Sequence, residues 1–191
     1  MAKRSRRPPE PRAYILSEEA CDEVRGLLAE HVANDWEMVL IGDGSGTGWQ
    51  GGCGWASVSV VRRPSRRLPG EIDWVGHLWQ GGMNAGTSNV AELMAYVAPL
   101  LWYQTTFDDL RERHVHIFSD SQYVVGSADP AKRRRQNGVL IQAFHHLRGA
   151  GLCLHWHWMK RNTTRLHRLM DDASRRARLQ VEAGALRRKP S

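Results

Sequence analysis

The order of hydrophobic patterns along this chain predicts an α/β domain built on a mixed five-stranded sheet, three antiparallel strands first and parallel ones after. Three observations carry that prediction. Apolar or alternating runs at 38–43, 55–61 and 72–79 follow one another through turn-rich links, the pattern of an antiparallel meander. Downstream the pattern becomes strand, helix, strand, which implies parallel pairing. Between the two halves, a segment from Ser88 to about Thr105 carries Val90, Ala91, Met94, Val97, Ala98 and Leu101 at helical spacing, with Thr87 or Ser88 placed to cap it.

Taken in order, residues 1–13 are rich in Lys, Arg and Pro and read as a disordered basic tail, either simply solvated or a non-specific tether. Ser17 caps a helix that runs to about Val32, with Cys21, Val24, Leu27, Leu28 and Val32 on its apolar face. Residues 14–35 are therefore an extra N-terminal helical segment, packed on the main domain (residues 36–182) or available to a partner. The first strand, from Met38, ends at Asp43, and a Gly-rich stretch to Gly54 turns the chain back. Trp55–Val61 is the second strand, 62–70 a basic loop containing Pro64, and Ile72–Trp79 the third strand. After the long helix come a fourth strand at His114–Ser119, a short helix at Ser121–Ser127, and the cationic run Lys132-Arg133-Arg134-Arg135. A helix over 136–149 directs Val139, Leu140, Ala143 and Leu147 inward. Leu152–Trp158 is the fifth strand, with Trp156 and Trp158 on its core face. His155 and His157 share the other face at a metal-ligand spacing, but with no third ligand in the neighbouring sequence they read as ordinary strand residues. A last helix spans about Leu166 to Val181, and 183–191 is a second basic tail.

The 191 residues allow one ordinary domain plus tails, and the formal net charge of +7 suits a polyanionic partner. Three cysteines without a CxxC pair leave one unmatched in any disulfide scheme, which points to a reducing compartment, with the cytoplasm the expected one. No apolar run is long enough to span a bilayer.

The chemistry lies in four short stretches. Two strands end in carboxylates, in Asp43-Gly44-Ser45 and in Ser119-Asp120-Ser121-Gln122. Glu92 sits near the start of the long helix, and Asp171-Asp172 lies on the last helix. Singly each is unremarkable, as a turn, a cap, or an acid complementing a helix dipole. Together they are the residues a two-metal phosphodiester site uses, since hard Mg²⁺ ions take carboxylate oxygens and crowded carboxylates require a cation.

The series Asp43-Gly44-Ser45, Gly51-Gly52-Cys53-Gly54-Trp55-Ala56, Thr87-Ser88-Asn89-Val90-Ala91-Glu92-Leu93, Ser119-Asp120-Ser121-Gln122-Tyr123-Val124-Val125 and Asp171-Asp172-Ala173-Ser174 resembles type 1 ribonuclease H in order and spacing. The resemblance covers roughly residues 36 to 180. It implies the ribonuclease H-like fold, with helices on both faces of the sheet, and hydrolysis of the RNA strand of RNA–DNA hybrids to leave 5′-phosphomonoesters. It further implies Asp43, Glu92, Asp120 and Asp171 as ligands of two Mg²⁺ ions, Mn²⁺ substituting. Periodicity does not choose between Asp171 and Asp172; the family register selects Asp171. Asn89 and Gln122 match minor-groove contacts, with Ser45 and Ser88 as lesser ones. Lys132, Arg133, Arg134, Arg135, Lys160 and Arg161 are candidates for backbone phosphates. A monomer acting on the hybrid is expected, with the N-terminal helix free for a partner. The chain departs from the family where many members carry a histidine before the last helix. The aligned position falls on Arg161 or Asn162, and His167 stands where the family often has Asn. Two readings compete: a silent binding module would lack a carboxylate, and a DNA-directed nuclease would not be expected to keep Asn89 and Gln122 together.

Overall fold

The computed structural model describes residues 12–29, 38–48, 51–65, 68, 72–106, 113–129 and 136–187. Its elements are β1 (Arg12–Ile15), α1 (Glu18–Ala29), β2 (Met38–Gly46), β3 (Cys53–Pro64), β4 (Ile72–Met83), α2 (Ser88–Thr106), β5 (His114–Ser119), α3 (Gln122–Ser127), α4 (Gly138–Gly149), β6 (Cys153–Trp158) and α5 (Arg165–Arg187). The five expected strands form one sheet: β2, β3 and β4 pair antiparallel, and β5 and β6 pair parallel beyond β2. A strand absent from the sequence reading, β1, adds antiparallel to β4, so the sheet order is β1-β4-β3-β2-β5-β6. Arg12 and Ala13 therefore belong to a strand and not to a tail; residues 1–11 lie outside the described residues. The pairing of Arg12 with Leu78 and Ile15 with Val75 uses an edge of β4 that a three-stranded meander leaves open.

β2 is buried on both faces because its apolar run is continuous. Leu40 joins the core under α2 and α4 with Leu93, Tyr96, Leu100, Phe144 and Leu147. Val39 and Ile41, on the opposite face, join α1 and α5 through Val24, Leu28, Leu166, Met170 and Ala173. The last helix buries a stripe of Leu166, Met170, Ala173 and Ala177. Three inward assignments are corrected. In α4 the buried stripe is Ile141, Phe144 and Leu147, and Val139 is exposed in the helix's first turn. In α2 Leu101 is exposed while Leu93, Ala95, Tyr96 and Leu100 are buried, because this helix is wedged between the sheet and α4. Trp158 ends the edge strand β6 half-exposed and donates its indole N–H to the Asp120 carbonyl at 3.1 Å, while Trp156 packs on Tyr96 and Phe144.

Two helices press on the sheet where glycine removes a side chain. A Cβ on Gly44 of β2 would collide with the backbone of Glu92 in α2, and one on Gly54 of β3 would collide with the backbone of α5 at Arg178 and Ser174. These close approaches bring Glu92 and Asp171, on helices covering opposite faces, to the same end of the sheet as Asp43. α1 contributes too: the Glu23 carboxylate accepts from the backbone N–H groups of Arg165 (2.9 Å) and Leu166 (3.1 Å), capping the helix that carries Asp171.

Gly54→Ala is expected to cost about 3 kcal/mol or more by overpacking. Gly26→Ala, on the exposed side of α1 with nothing within 4 Å, is expected to stabilise by about 0.5–1 kcal/mol through helix propensity. Urea unfolding of both variants checks the opposite signs.

Candidate active site

Asp43 is 1% exposed. Its Oδ2 accepts from the Ser174 hydroxyl of α5 at 2.7 Å, and its Oδ1 has no hydrogen-bond partner. Glu92, half-buried in the second turn of α2, leaves Oε2 buried and unpartnered as well. Asp120 follows β5 directly. Asp171 is buried on α5, while its neighbour Asp172 is exposed. Asp43 lies within reach of Asp171 and Asp120, and Glu92 within reach of Asp43 and Asp120. Burial raises the Asp43 carboxyl above its ordinary value against the opposing Ser174 hydrogen bond, and Asp171 and Asp120 raise it further. Burial, then Asp43 and Asp120, push Glu92 up to about 9. At Asp120 burial acts upward, but His167 and Arg161 outweigh it, and the net shift is downward.

The strand ends that present Asp43 and Asp120 are tied together by Tyr96. Its buried hydroxyl points at the carbonyls of Gly42 (2.7 Å) and Phe118 (3.1 Å), one residue before Asp43 and two before Asp120. The Ile41–Phe118 pair is the last in the β2–β5 register, so this hydroxyl continues the tie beyond the ladder. Tyr96 stands one turn after Glu92 on the same helix. One side chain therefore fixes two strand ends relative to the third acid.

The positive charges come from α5 and the loop before it. Arg161 donates to Asp171 Oδ1 at 3.0 Å and lies 3.6 Å from Asp120 Oδ2, so its half-exposed guanidinium bridges two acids. Arg175 pairs with Asp171 Oδ2 at 2.7 Å. His167 is fully buried, and its Nδ1 accepts from the Asn162 N–H at 3.2 Å. That bond requires a bare Nδ1, so a neutral ring carries its proton on Nε2, which faces Asp120 Oδ1 at 3.6 Å. Asp43, Asp120 and His167 bring ligand-type atoms within 4.8 Å of one another. The tautomer nevertheless faces a protonated Nε2 toward Asp120 without reaching hydrogen-bond distance, and ligating an ion through Nε2 would forfeit the Asn162 bond. Arg161 and Asn162 thus have separate tasks: one spans the acids, and the other, at a left-handed φ of 59°, orients His167.

Among the remaining candidates, Ser45 on β2 accepts from Arg178 Nε at 3.1 Å. Ser88, exposed, and Asn89, half-buried, open α2 a turn before Glu92 and share a surface pocket with Gly86, Thr87 and Asn137. Gln122 is exposed at the start of α3, two residues past Asp120, and Lys160 is exposed beside Arg161. Lys132, Arg133, Arg134 and Arg135 lie outside the described residues. The sequence reading missed Tyr96, Ser174, Arg175 and Arg178. Spacing held a signal for three of them, since each follows a site acid by one turn: Tyr96 after Glu92, and Ser174 and Arg175 after Asp171.

No family model matches the sequence, and no curated protein matches it either. Solved structures do. The chain is similar to the N-terminal ribonuclease H domain of Rv2228c from Mycobacterium tuberculosis, solved as a fusion with maltose-binding protein, at 17% identity and a TM-score of 0.60 over 79% of this chain and 99% of that one. It is similar to LC11-RNase H1, isolated from compost by a metagenomic approach and solved with an RNA/DNA hybrid, at 18% identity and a TM-score of 0.58 over 75% and 98% of the two chains. LC9-RNase H1, a type 1 enzyme with a type 2 active-site motif, gives 16% identity and a TM-score of 0.55 over 80% and 75%. The protein has the ribonuclease H-like fold.

Glu92 holds its proton more tightly folded (about 9) than at its ordinary value of 4.5. Its contribution to stability is therefore fully present at low pH and lost as pH rises between those values. In metal-free protein at about pH 8, Glu92→Gln is expected to melt higher than wild type and to flatten the pH dependence of Tm. A second expectation concerns Tyr96→Phe, which keeps the ring and removes the tie. It is expected to cost about 1 kcal/mol in stability, with a larger proportional loss of metal affinity, read by calorimetry.

Proposed function

We propose that this chain is an endoribonuclease that hydrolyses the RNA strand of RNA–DNA hybrids at the Asp43, Glu92, Asp120 and Asp171 cluster, leaving 5′-phosphomonoesters. The observation that carries this reading is the gathering of four acids at one end of the central strands, on a fold shared with LC11-RNase H1, whose structure holds an RNA/DNA hybrid. The donor set fits hard divalent ions. Its oxygens are carboxylate, Asp43 Oδ1 and Glu92 Oε2 are buried without partners, and Asp43 and Glu92 are raised first by burial and then by acidic neighbours whose repulsion a cation would relieve. Two Mg²⁺ ions, with Mn²⁺ substituting, would be held by these four side chains and would supply an activated water and stabilisation of the leaving oxygen.

The chain's own residues do the rest. Tyr96 and Ser174 hold the acids in place before substrate arrives, so little reorganisation is left for the reaction itself. His167 turns Nε2 toward Asp120 at 3.6 Å and, with Arg161, favours its ionised form. Arg161 neutralises Asp120 and Asp171 while no ion does so. Once their charge is met by cations its guanidinium is free to take the scissile phosphate, a bidentate partner of the same geometry as a carboxylate. The amides of Asn89 and Gln122 can pair with 2′-hydroxyls across the wide minor groove, which marks RNA without reading sequence. Ser45 and Ser88 flank the same end, and Lys160 with the 132–135 run supplies backbone phosphate contacts. The chain works as a monomer in this reading.

A labelled RNA–DNA hybrid, assayed beside single-stranded RNA, double-stranded RNA and double-stranded DNA, tests the proposal. Cleavage confined to the RNA of the hybrid, lost in EDTA and in Asp120→Asn, is expected. Full activity in EDTA, or Asp120→Asn near wild-type turnover, contradicts it. Gln122→Ala is expected to erode the preference for hybrid over DNA duplex several-fold more than it weakens binding, because it neutralises no phosphate.

A further inference from the structure

β1 covers only part of the edge it joins. It pairs with Val75–Leu78, while β4 runs on to Met83, so from Trp79 to Met83 that edge has no strand beside it among the described residues. A groove follows this stretch. Gln80, Gly82 and Asn84 line one side of it, and Ala177, Gln180 and Val181 of α5 the other. The register of β1, with Arg12 opposite Leu78 and Ile15 opposite Val75, sends the chain before Arg12 along this edge toward Met83. Continued one residue at a time, it sets Pro11 opposite Trp79, Glu10 opposite Gln80, Pro9 opposite Gly81 and Pro8 opposite Gly82. The Leu16 N–H, which donates to the Trp74 carbonyl at 3.3 Å, fixes the phase of the ladder. Hydrogen-bonded pairs alternate between antiparallel strands, so the bonded positions are 16, 14 and 12, then 10 and 8. Pro9 and Pro11 therefore fall where the backbone nitrogen faces away from β4, the positions at which an edge strand tolerates proline.

We propose that residues 8–11 continue β1 along the edge of β4, in the groove beside α5, and hold Lys3, Arg4, Arg6 and Arg7 at the nucleic-acid end of the sheet. The sequence Pro8-Pro9-Glu10-Pro11 is stiff in the conformation this needs. Proline fixes φ at 8, 9 and 11, and the residue before a proline is driven to extended backbone, which covers 8 and 10. Little chain entropy is therefore lost on docking. Glu10 carries the one N–H of the four residues, and it faces the Gln80 carbonyl. Residues opposite each other share a face of the sheet, so the Glu10 carboxylate lies on the side of Gln80, where the carboxamides of Gln80, Asn84 and Gln180 offer donors. On the other face a Cβ at Gly81 would meet the Trp55 ring, so Pro9 stands beside an indole. Pro8 has no N–H for its bonded position and ends the ladder at Gly82. The chain beyond it emerges where Met83 pairs with Cys53, whose other partner, Gly46, ends the strand carrying Asp43 and Ser45. Lys3, Arg4, Arg6 and Arg7 are thereby set at the same end of the sheet as the acids, where they add phosphate contacts. The docking stands on the fold alone; the role of the cations rests on the nuclease reading.

Amide hydrogen exchange on the full chain, without nucleic acid, tests the docking. The N–H groups of Gln80 and Gly82 face the segment, toward the Glu10 and Pro8 carbonyls, so both are expected to be protected in wild type. Glu10→Pro removes the ladder donor and should speed exchange at both by about tenfold or more, whereas Pro9→Ala, whose new N–H points to solvent, should keep protection within about threefold. Binding of an RNA–DNA hybrid by Asp120→Asn protein, which does not cleave it, tests the cations. Glu10→Gln and Glu10→Pro delete the same negative charge, so a loose tether would gain affinity equally from both. Docking instead makes Glu10→Pro bind about fivefold more weakly than Glu10→Gln, with a shallower salt dependence. The docking is overturned by Gln80 and Gly82 amides that exchange in wild type as in unstructured chain, by protection unmoved in Glu10→Pro, or by an equal loss in Pro9→Ala. Equal hybrid affinity in Glu10→Pro and Glu10→Gln overturns the role of the cations. Cleavage by wild type is read separately, so a failure of the docking leaves the nuclease reading standing, and a chain that cleaves no hybrid still yields the exchange result.

Discussion

Several carboxylates forced into one buried end of a sheet repel each other, and much of this structure follows from holding them there. Asp43 is nearly inaccessible, Glu92 half-buried, and both sit among further acids. A cluster like this would push itself apart if its scaffold were soft. The scaffold is therefore built by close approach. Glycines at 44 and 54 let helices on both faces come to backbone contact with the sheet, the Tyr96 hydroxyl ties two strand ends, and Ser174 bonds Asp43. Arginines supply compensating charge: Arg161 and Arg175 reach the acids on flexible, exposed stems, which a cation or a phosphate can displace at little cost.

The N-terminal segment belongs to the same economy. α1 packs into the core beneath α5 and caps that helix through Glu23, so a segment outside the ribonuclease H resemblance supports the helix carrying Asp171. β1 then covers the open edge of β4. At the other edge no strand among the described residues covers β6, and it is there that His114, His155, His116 and His157 stack.

Asp171 came only from the register of the family resemblance, whereas the five core strands, Asp43, Glu92 and Asp120 were legible because each rests on a local signal, an apolar run closed by a carboxylate or a helix start. Arg12–Ile15 was not, since a four-residue strand inside a basic, Pro-rich stretch has no periodicity of its own and forms only because β4 offers it an edge. Helix faces were read well where one side meets water, as in α5, and poorly in α2 and α4, where tertiary packing buries more than one stripe. His155 and His157 were seen as a pair, but their partners lie some forty residues away across a parallel crossover that only the register reveals. Asp171 and Asp172 differ in burial through a helix phase that their common flanks leave ambiguous.

The central claim is that the acidic cluster exists to hold divalent cations. Calorimetric titration of metal-free protein with Mn²⁺, without nucleic acid, tests it most directly. Wild type should bind with an affinity that Asp43→Asn reduces by at least an order of magnitude while remaining folded. Equal Mn²⁺ affinity in wild type and Asp43→Asn would contradict it.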